Sequence, residues 1–331
     1  MEPLGPRVRH SDVRSSWTWV RPLLAAALTV GLLFADEPIA WAGKSRPKAW
    51  VALEGDGQLA KVVLGEGVRR RIGTRGGGPH NIAVAPDGTV VAALWASDRI
   101  VIVRDGERSF VELGGAPHDV KIARNLAVVA NQAAERVQLV KLDGTLVRRV
   151  LLKADPHDLA IDPKQRHAWV TLEGSDDLAV VDLLHRREPV RYLDTVGRPH
   201  DILFAPDGRL WVTDWAGALH VFEGRRAHLV ESIPLGVEAH HLDFTPDGRF
   251  GWISDHGAGA VFVVRVRSLR VVDRIPFPGV PHHVTVLPGG RRVLVADHAN
   301  GRLIVYDSHS HRRVRTIPVG LEPHGVWAVG S

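Results

Sequence analysis

The sequence predicts an all-β fold, a seven-bladed β-propeller of four-stranded blades. Three observations carry that reading: a Pro-His or Ala-His pair that recurs seven times, a turn signal after most of the pairs, and a first repeat whose missing strand stands at the other end of the chain. The pairs are Pro79-His80, Pro117-His118, Pro156-His157, Pro199-His200, Ala239-His240, Pro281-His282 and Pro323-His324. Their spacings are 38, 39, 43, 40, 42 and 42 residues, the period of a propeller blade.

Each pair opens a short apolar or alternating run, such as Ile82-Ala83-Val84 or Ile202-Leu203-Phe204, that reads as an inner strand. Pro86-Asp87-Gly88, Pro206-Asp207-Gly208, Pro246-Asp247-Gly248 and Pro288-Gly289-Gly290 follow as turns, with Pro presetting φ and Gly supplying backbone freedom. A second strand comes next, as in Leu210 to Thr213 or Gly251 to Ser254, and two more complete the unit, for example Val261 to Val264 and Arg270 to Ile275. Trp50 to Leu53, Gln58 to Leu64 and Arg69 to Gly73 supply only three outer strands. Gly325 to Val329 is the inner strand they lack, and pairing the two ends closes the ring and removes an open sheet edge.

Residues 1–42 stand apart from this pattern. Arg7, Arg9, Arg14 and Arg21 precede an apolar stretch from Leu23 to Ala35, and Ala40-Trp41-Ala42 fits a signal-peptidase site. The apolar run is shorter than the roughly 20 residues of a spanning helix. The expectation is a cleaved signal peptide at 1–42, a propeller over 43–331 and a periplasmic or secreted protein with no stable membrane span after cleavage; an uncleaved anchor is the alternative.

The chain has no cysteine and a single methionine, Met1, but 18 histidines. Disulfides, zinc ribbons, iron–sulfur clusters, thiolate nucleophiles and c-type haem are thereby excluded. A bound metal would rest on nitrogen and oxygen donors, which favours Zn, Cu(II) or Fe over Cu(I). The net charge of +5 is scattered among clusters such as Arg69-Arg70-Arg71 and Arg312-Arg313 rather than gathered in a stripe, which argues against nucleic acid as a partner.

The unit built from Pro-His, an alternating strand, Pro-Asp-Gly and Trp-Val-Thr resembles the bacterial YVTN-type propeller repeat and the neighbouring NHL and streptogramin-lyase-like repeats. Trp50, Trp169, Trp211 and Trp252 stand where those repeats place an aromatic, and Trp211-Val212-Thr213-Asp214 is nearest to the eponymous tetrapeptide. The resemblance covers about residues 48 to 330 and implies the fold. For activity it leaves open lyases, lactonase-like enzymes, metal proteins and binding modules.

The repeat sets all seven histidines of the pairs around one mouth of the central channel. His80, His118, His157, His200, His240, His282 and His324 are therefore the candidate metal ligands, and they exceed the need of one ion, so a subset binds or the site is polynuclear. Glu54, Gln132, Glu173, Asp214, Asp255, His256, Asp297 and His298 converge from the ends of the second strands. Asp119, Asp158, Asp201, His241 and His283 follow the ring histidines, and strand alternation predicts that they cannot all share the ring's side. The repeated Asp255-His256 and Asp297-His298 pairs point to residues 239–319 as the metal side. Trp95 and Trp215 are expected at the mouth, and the four repeat tryptophans between blades. His309 and His311 read as a far-face turn, and His220 and His228 as outer-strand residues.

Three functions follow. The first is a metal protein binding Zn, Cu or Fe through the ring. The second, implied by the streptogramin-lyase resemblance, is a lyase or lactonase-like enzyme with Mg or Mn, for which Glu54, Glu173, His256 and His298 are the candidate catalytic residues. The third is a metal-free scaffold for a protein partner, with the imidazoles bonded to neighbouring backbone. No Gly-x-Ser-x-Gly elbow or P-loop occurs.

Overall fold

The computed structural model describes residues 46–195 and 197–329; the expected signal peptide lies outside the described residues. Seven four-stranded antiparallel sheets form the seven blades. Blade 1 is the mixed one: its inner strand, Pro323–Val329, pairs with Lys48–Leu53, followed by Gln58–Val63 and Gly67–Gly73. The inner strands of blades 2 to 7 are Pro79–Val84, Pro117–Ala123, Pro156–Ile161, Pro199–Phe204, Ala239–Phe244 and Pro281–Val286. Among the described residues the only helices are single 3-10 turns at Trp95–Ser97 and His298–Asn300, and no helix is long and apolar enough to cross a membrane.

Successive blades share apolar side chains, so the core is a series of seams rather than one centre. Trp169, Val212 and Phe222 fill the seam of blades 4 and 5, and Trp211, Phe244, Ile253 and Phe262 that of blades 5 and 6. Trp211 is fully buried, as is Trp252, in keeping with their expected place between blades. A Cβ on Gly251 would stand 2.6 Å from the Trp211 ring, so the second strand of blade 6 can approach that indole only as glycine.

The feature that organises the channel is a β-bulge at the start of each inner strand. In blade 5 Pro199 pairs with Asp214 and the next pair is Ile202 with Val212, three steps on one strand against two on the other. The same extra residue recurs beside the Pro-His or Ala-His pair of every other blade. In six blades the bulge releases the histidine and its follower from the ladder, and in blade 3 His118 alone, since Asp119 still pairs with Ala130; the strand bends and the side chains are re-aimed.

Hydroxyls on the second strand satisfy the groups so freed. Thr213 Oγ1 accepts the Asp201 N–H (3.0 Å) and donates to the His240 carbonyl of the next blade. Thr171 Oγ1 accepts from Asp158 N (2.9 Å) and donates to the His200 carbonyl (2.7 Å). Ser254 Oγ accepts from His241 N (3.1 Å) and donates to the His282 carbonyl. One buried hydroxyl thus clips a bulge to the following blade.

Thr213→Val keeps the shape and removes the clip, leaving a buried N–H and carbonyl unpaired. Urea unfolding is expected to show a loss of about 1–3 kcal/mol. An unchanged midpoint would refute this role for the hydroxyl.

Candidate metal centre

The seven histidines close into a ring. Neighbouring imidazole centroids stand 3.7 Å apart for His80–His118 and His118–His157, 4.3 Å for His157–His200, 4.0 Å for His200–His240, 4.3 Å for His240–His282, 3.7 Å for His282–His324 and 3.4 Å for His324–His80. None is more than 9% exposed. Spaced evenly, such a ring holds its centroids about 4.5 Å from the axis, whereas an imidazole bonded to a metal at about 2.0–2.1 Å holds its centroid about 3.2 Å away, so one ion cannot meet all seven.

Six of the seven, all but His200, leave a buried Nδ1 with no hydrogen-bond partner, and His200 leaves Nε2. His200 Nδ1 bonds Glu173 Oε1 at 2.8 Å. Among the described residues no ring nitrogen of the seven bonds a main-chain carbonyl, so backbone anchoring does not account for them. Buried polar atoms without partners are uncommon in folded proteins, and these nitrogens are free to take up water or an ion.

The residues after the ring histidines divide, and the bulge decides which of them reach the ring. Asp158 reaches the ring, with carboxylate oxygens 3.8 Å from His118 Nδ1 and 3.5 Å from His157 Nδ1. His241 packs against His240 at 4.6 Å and His282 at 5.4 Å, and His283 against His241 at 4.4 Å. Asp119 and Asp201 instead turn to the next blade, accepting the N–H of Leu159 (3.0 Å) and Leu242 (2.9 Å). Asn81 Nδ2 in blade 2 donates to Asp158 Oδ1 in blade 4 (3.1 Å), which makes Asp158 the hub of this second tier. From there a cavity of about 380 Å³ runs toward the far ends of the inner strands, lined by Lys121, Asp243, His283, Thr285 and Trp327 among others.

Residues from the second-strand ends divide. His256 stacks on His240 at 3.8 Å and His298 on His282 at 5.2 Å, both half-buried at the mouth. Their Asp neighbours do not join them. Asp255 accepts the N–H groups of Val237, Glu238 and Ala258, and Asp297 those of Val280, Asn300 and Arg302, so both cap turns. Asp214 is taken by His220 and the Ala216 N–H. Gln132 sits half-buried in the turn after the second strand of blade 3. The carboxylate argument for residues 239–319 therefore fails, although that arc is the richest in imidazole.

Glu54 and Glu173 occupy matching places, each accepting an indole N–H from the following blade: Trp95 to Glu54 at 3.0 Å, Trp215 to Glu173 at 2.5 Å. Both tryptophans stand at the mouth, Trp215 packed 4.4 Å from His200 and Trp95 6.5 Å from His80. Their carboxyls differ in charge. Burial pushes Glu54 up to about 7, only partly offset by the Trp95 bond and reinforced by Glu322. Burial also works against the Glu173 carboxylate, but His157, His200 and Trp215 outweigh it and hold the group down to about 2. Among the distal residues, His311 bonds Asp273 (2.8 Å) on the far hairpin, and His228 and His309 are exposed.

Groups able to hold a metal, with one ligand atom each all within 4.8 Å of one another, include His240–His256–His282, His241–His282–His324, His200–His240–His241, Glu54–His80–His324 and His118–His157–Asp158. Burial, reinforced by neighbouring imidazoles, lowers His240, His282, His324 and His241 well below the usual range and His256 to about 3. These rings are neutral at pH 7, the form that binds metals. His157 is the exception. Burial lowers it too, but Glu173 and Asp158 raise it to about 9.

The fold has many solved counterparts. The Pseudomonas aeruginosa periplasmic gluconolactonase PpgL superposes with a TM-score of 0.73 at 21% identity, covering 86% of this chain and 99% of that one. Virginiamycin B lyase from Staphylococcus aureus gives 0.67 at 16%, covering 76% and 92%, and Kuenenia stuttgartiensis hydrazine synthase 0.70 at 16%, covering 77% and 96%. At these identities the likeness is one of fold. No curated protein sequence matches the chain. A family model described as a YNCE-like beta-propeller matches residues 62–331.

The depressed histidines set an acid limit on stability. A group whose pKa is lower in the folded than in the unfolded chain contributes stability that is present above the unfolded value, here 6.5, and is lost as pH falls toward the folded one. With His118 at about 4 and His256 and His283 at about 3, the metal-free protein is expected to lose stability cumulatively from pH 6.5 down to about 3. His157 acts in the opposite sense between 6.5 and about 9. Urea midpoints measured across pH 4 to 9 test this, and a flat acid limb would count against neutral buried imidazoles.

Proposed function

The chain belongs to the YNCE-like β-propeller family, and we propose that this member is an exported protein that binds a transition metal, Zn, Cu or Fe, at the histidine ring. The expected signal peptide at 1–42, the propeller over 43–331 and a periplasmic or secreted location are part of this reading. The observation that carries it is the concentration of neutral, buried and unpartnered imidazole nitrogens on one arc: His240 Nδ1, His256 Nε2, His282 Nδ1, His324 Nδ1 and His241 Nε2. Three such donors with an open position are a common ligand set for Zn, Cu and Fe. His256 and His298, half-buried above the ring, stand where an ion or small molecule would enter.

Elemental analysis of the untagged protein is expected to find a stoichiometric transition metal, lost when His240, His256 and His282 are replaced together by Ala. Metal-free protein that takes up none of these ions in calorimetry overturns the reading and leaves the scaffold role.

A second reading rests on Glu54 and Glu173. Two carboxyls at equivalent repeat positions, one near 7 and one near 2, form an acid and a base separated by environment. They suit a lyase or lactonase-like enzyme using Mg or Mn, and lyase and gluconolactonase propellers share the fold. Turnover of a cyclic ester that requires added Mg or Mn should fall about 10²-fold or more in Glu54→Gln. Unchanged turnover in that variant, or none in the parent, excludes this role.

A further inference from the structure

Resting on the metal-binding reading above, we propose that the channel mouth holds a second, chemically different cation site made by His118, His157 and Asp158. These three share no ligand with the His240–His256–His282 group, and His80 and His200 stand between the two arcs of the ring. The protein is then a two-centre metal protein, with one centre nitrogen-only and the other of mixed nitrogen and oxygen.

Three observations support the second centre. Ligand atoms of the three residues lie within 4.8 Å of one another, and two metal–ligand bonds of about 2.0–2.2 Å span most of that distance. The side chains of His118, His157 and Asp158 are 10%, 6% and 1% exposed, and His118 Nδ1, His157 Nδ1 and Asp158 Oδ2 have no hydrogen-bond partner. Three unpaired polar atoms at one buried point carry a desolvation cost that a shared cation would offset.

The third observation is charge. The nearby Lys121 ammonium is held by both Asp119 oxygens, at 2.8 and 2.7 Å. Beyond the neutral amide of Asn81 the Asp158 carboxylate therefore faces only imidazole, His157 Nδ1 at 3.5 Å, His118 Nδ1 at 3.8 Å and His241 Nδ1 at 3.9 Å, and a cation bound there takes the place of the proton shared with His157. Glu173 brings a second carboxylate to the same arc, 3.5 Å from His157 Nε2. Two buried carboxylates beside two imidazoles form a harder donor set than imidazole alone and suit Zn, Fe or Mn, whereas the nitrogen-only arc suits Cu and Zn.

The test is Zn(II) titration of the chelator-treated, untagged full chain by calorimetry, with bound metal counted after desalting. Two equivalents are expected for the parent, one for Asp158→Asn and one for His256→Ala/His282→Ala, each variant keeping its near-ultraviolet circular dichroism. His118→Gln should behave as Asp158→Asn and carries the test if the latter fails to fold. One equivalent in the parent, unchanged by Asp158→Asn and His118→Gln, overturns the second centre and leaves the first. Loss of both equivalents in folded Asp158→Asn overturns their independence, and no uptake in the parent overturns both readings.

Discussion

The channel depends on a single irregularity repeated seven times: the extra residue that interrupts each inner strand just after its Pro or Ala. A regular strand would send the histidine and its follower to opposite sides. The bulge frees both, or in blade 3 the histidine alone, so each blade delivers an imidazole to the ring and, in blades 4 and 6, a second polar side chain beneath it. The cost is a set of main-chain groups removed from the ladder. Thr171, Thr213 and Ser254 satisfy them from the adjacent strand and reach the carbonyl of the next ring histidine. From blade 4 to blade 7, blade spacing and imidazole spacing are therefore fixed by the same hydroxyls.

Sevenfold backbone symmetry does not give sevenfold chemistry. Asn81, Asp119, Asp158, Asp201, His241, His283 and Gly325 occupy the place after the ring histidine, and the difference among them divides the mouth. Where the follower is His241 or His283, imidazole surrounds imidazole and every ring is driven neutral by burial and by its neighbours. Where it is Asp158, with Glu173 nearby, burial is overcome and His157 holds a proton. The repeat supplies the frame, and one tier of substitutions sets the charge within it.

The blade period, the closing strand and the histidine register were legible in the sequence because they are linear: spacing, turn chemistry and alternation survive without knowing which residues pair. The tier below the ring was not, because a bulge changes side-chain direction without a residue type that announces it. Alternation therefore said only that the followers divide between the two sides, and not that Asp158 is the one that becomes the hub. Asp255 and Asp297 failed for a different reason. Asp255 precedes a tight turn whose Ala258 N–H it accepts, and Asp297 is taken by the side chains of Asn300 and Arg302 and by the Val280 N–H. For Asp255 that local signal was present in the sequence, and proximity to His256 obscured it.

The ring also ties the site to the completion of the fold. His324 lies on the strand that pairs across almost the whole chain with Lys48–Leu53, and its ring is the nearest neighbour of His80, at 3.4 Å. Without that strand, blade 1 keeps three outer strands, its sheet edge is open, and the ring has a gap between His80 and His282. The Glu54–His80–His324 group draws on the two ends of the chain. Such contacts form only after large loop-closure costs have been met. An ion held there bridges the two ends of the chain, so its binding energy counts directly toward keeping the propeller closed.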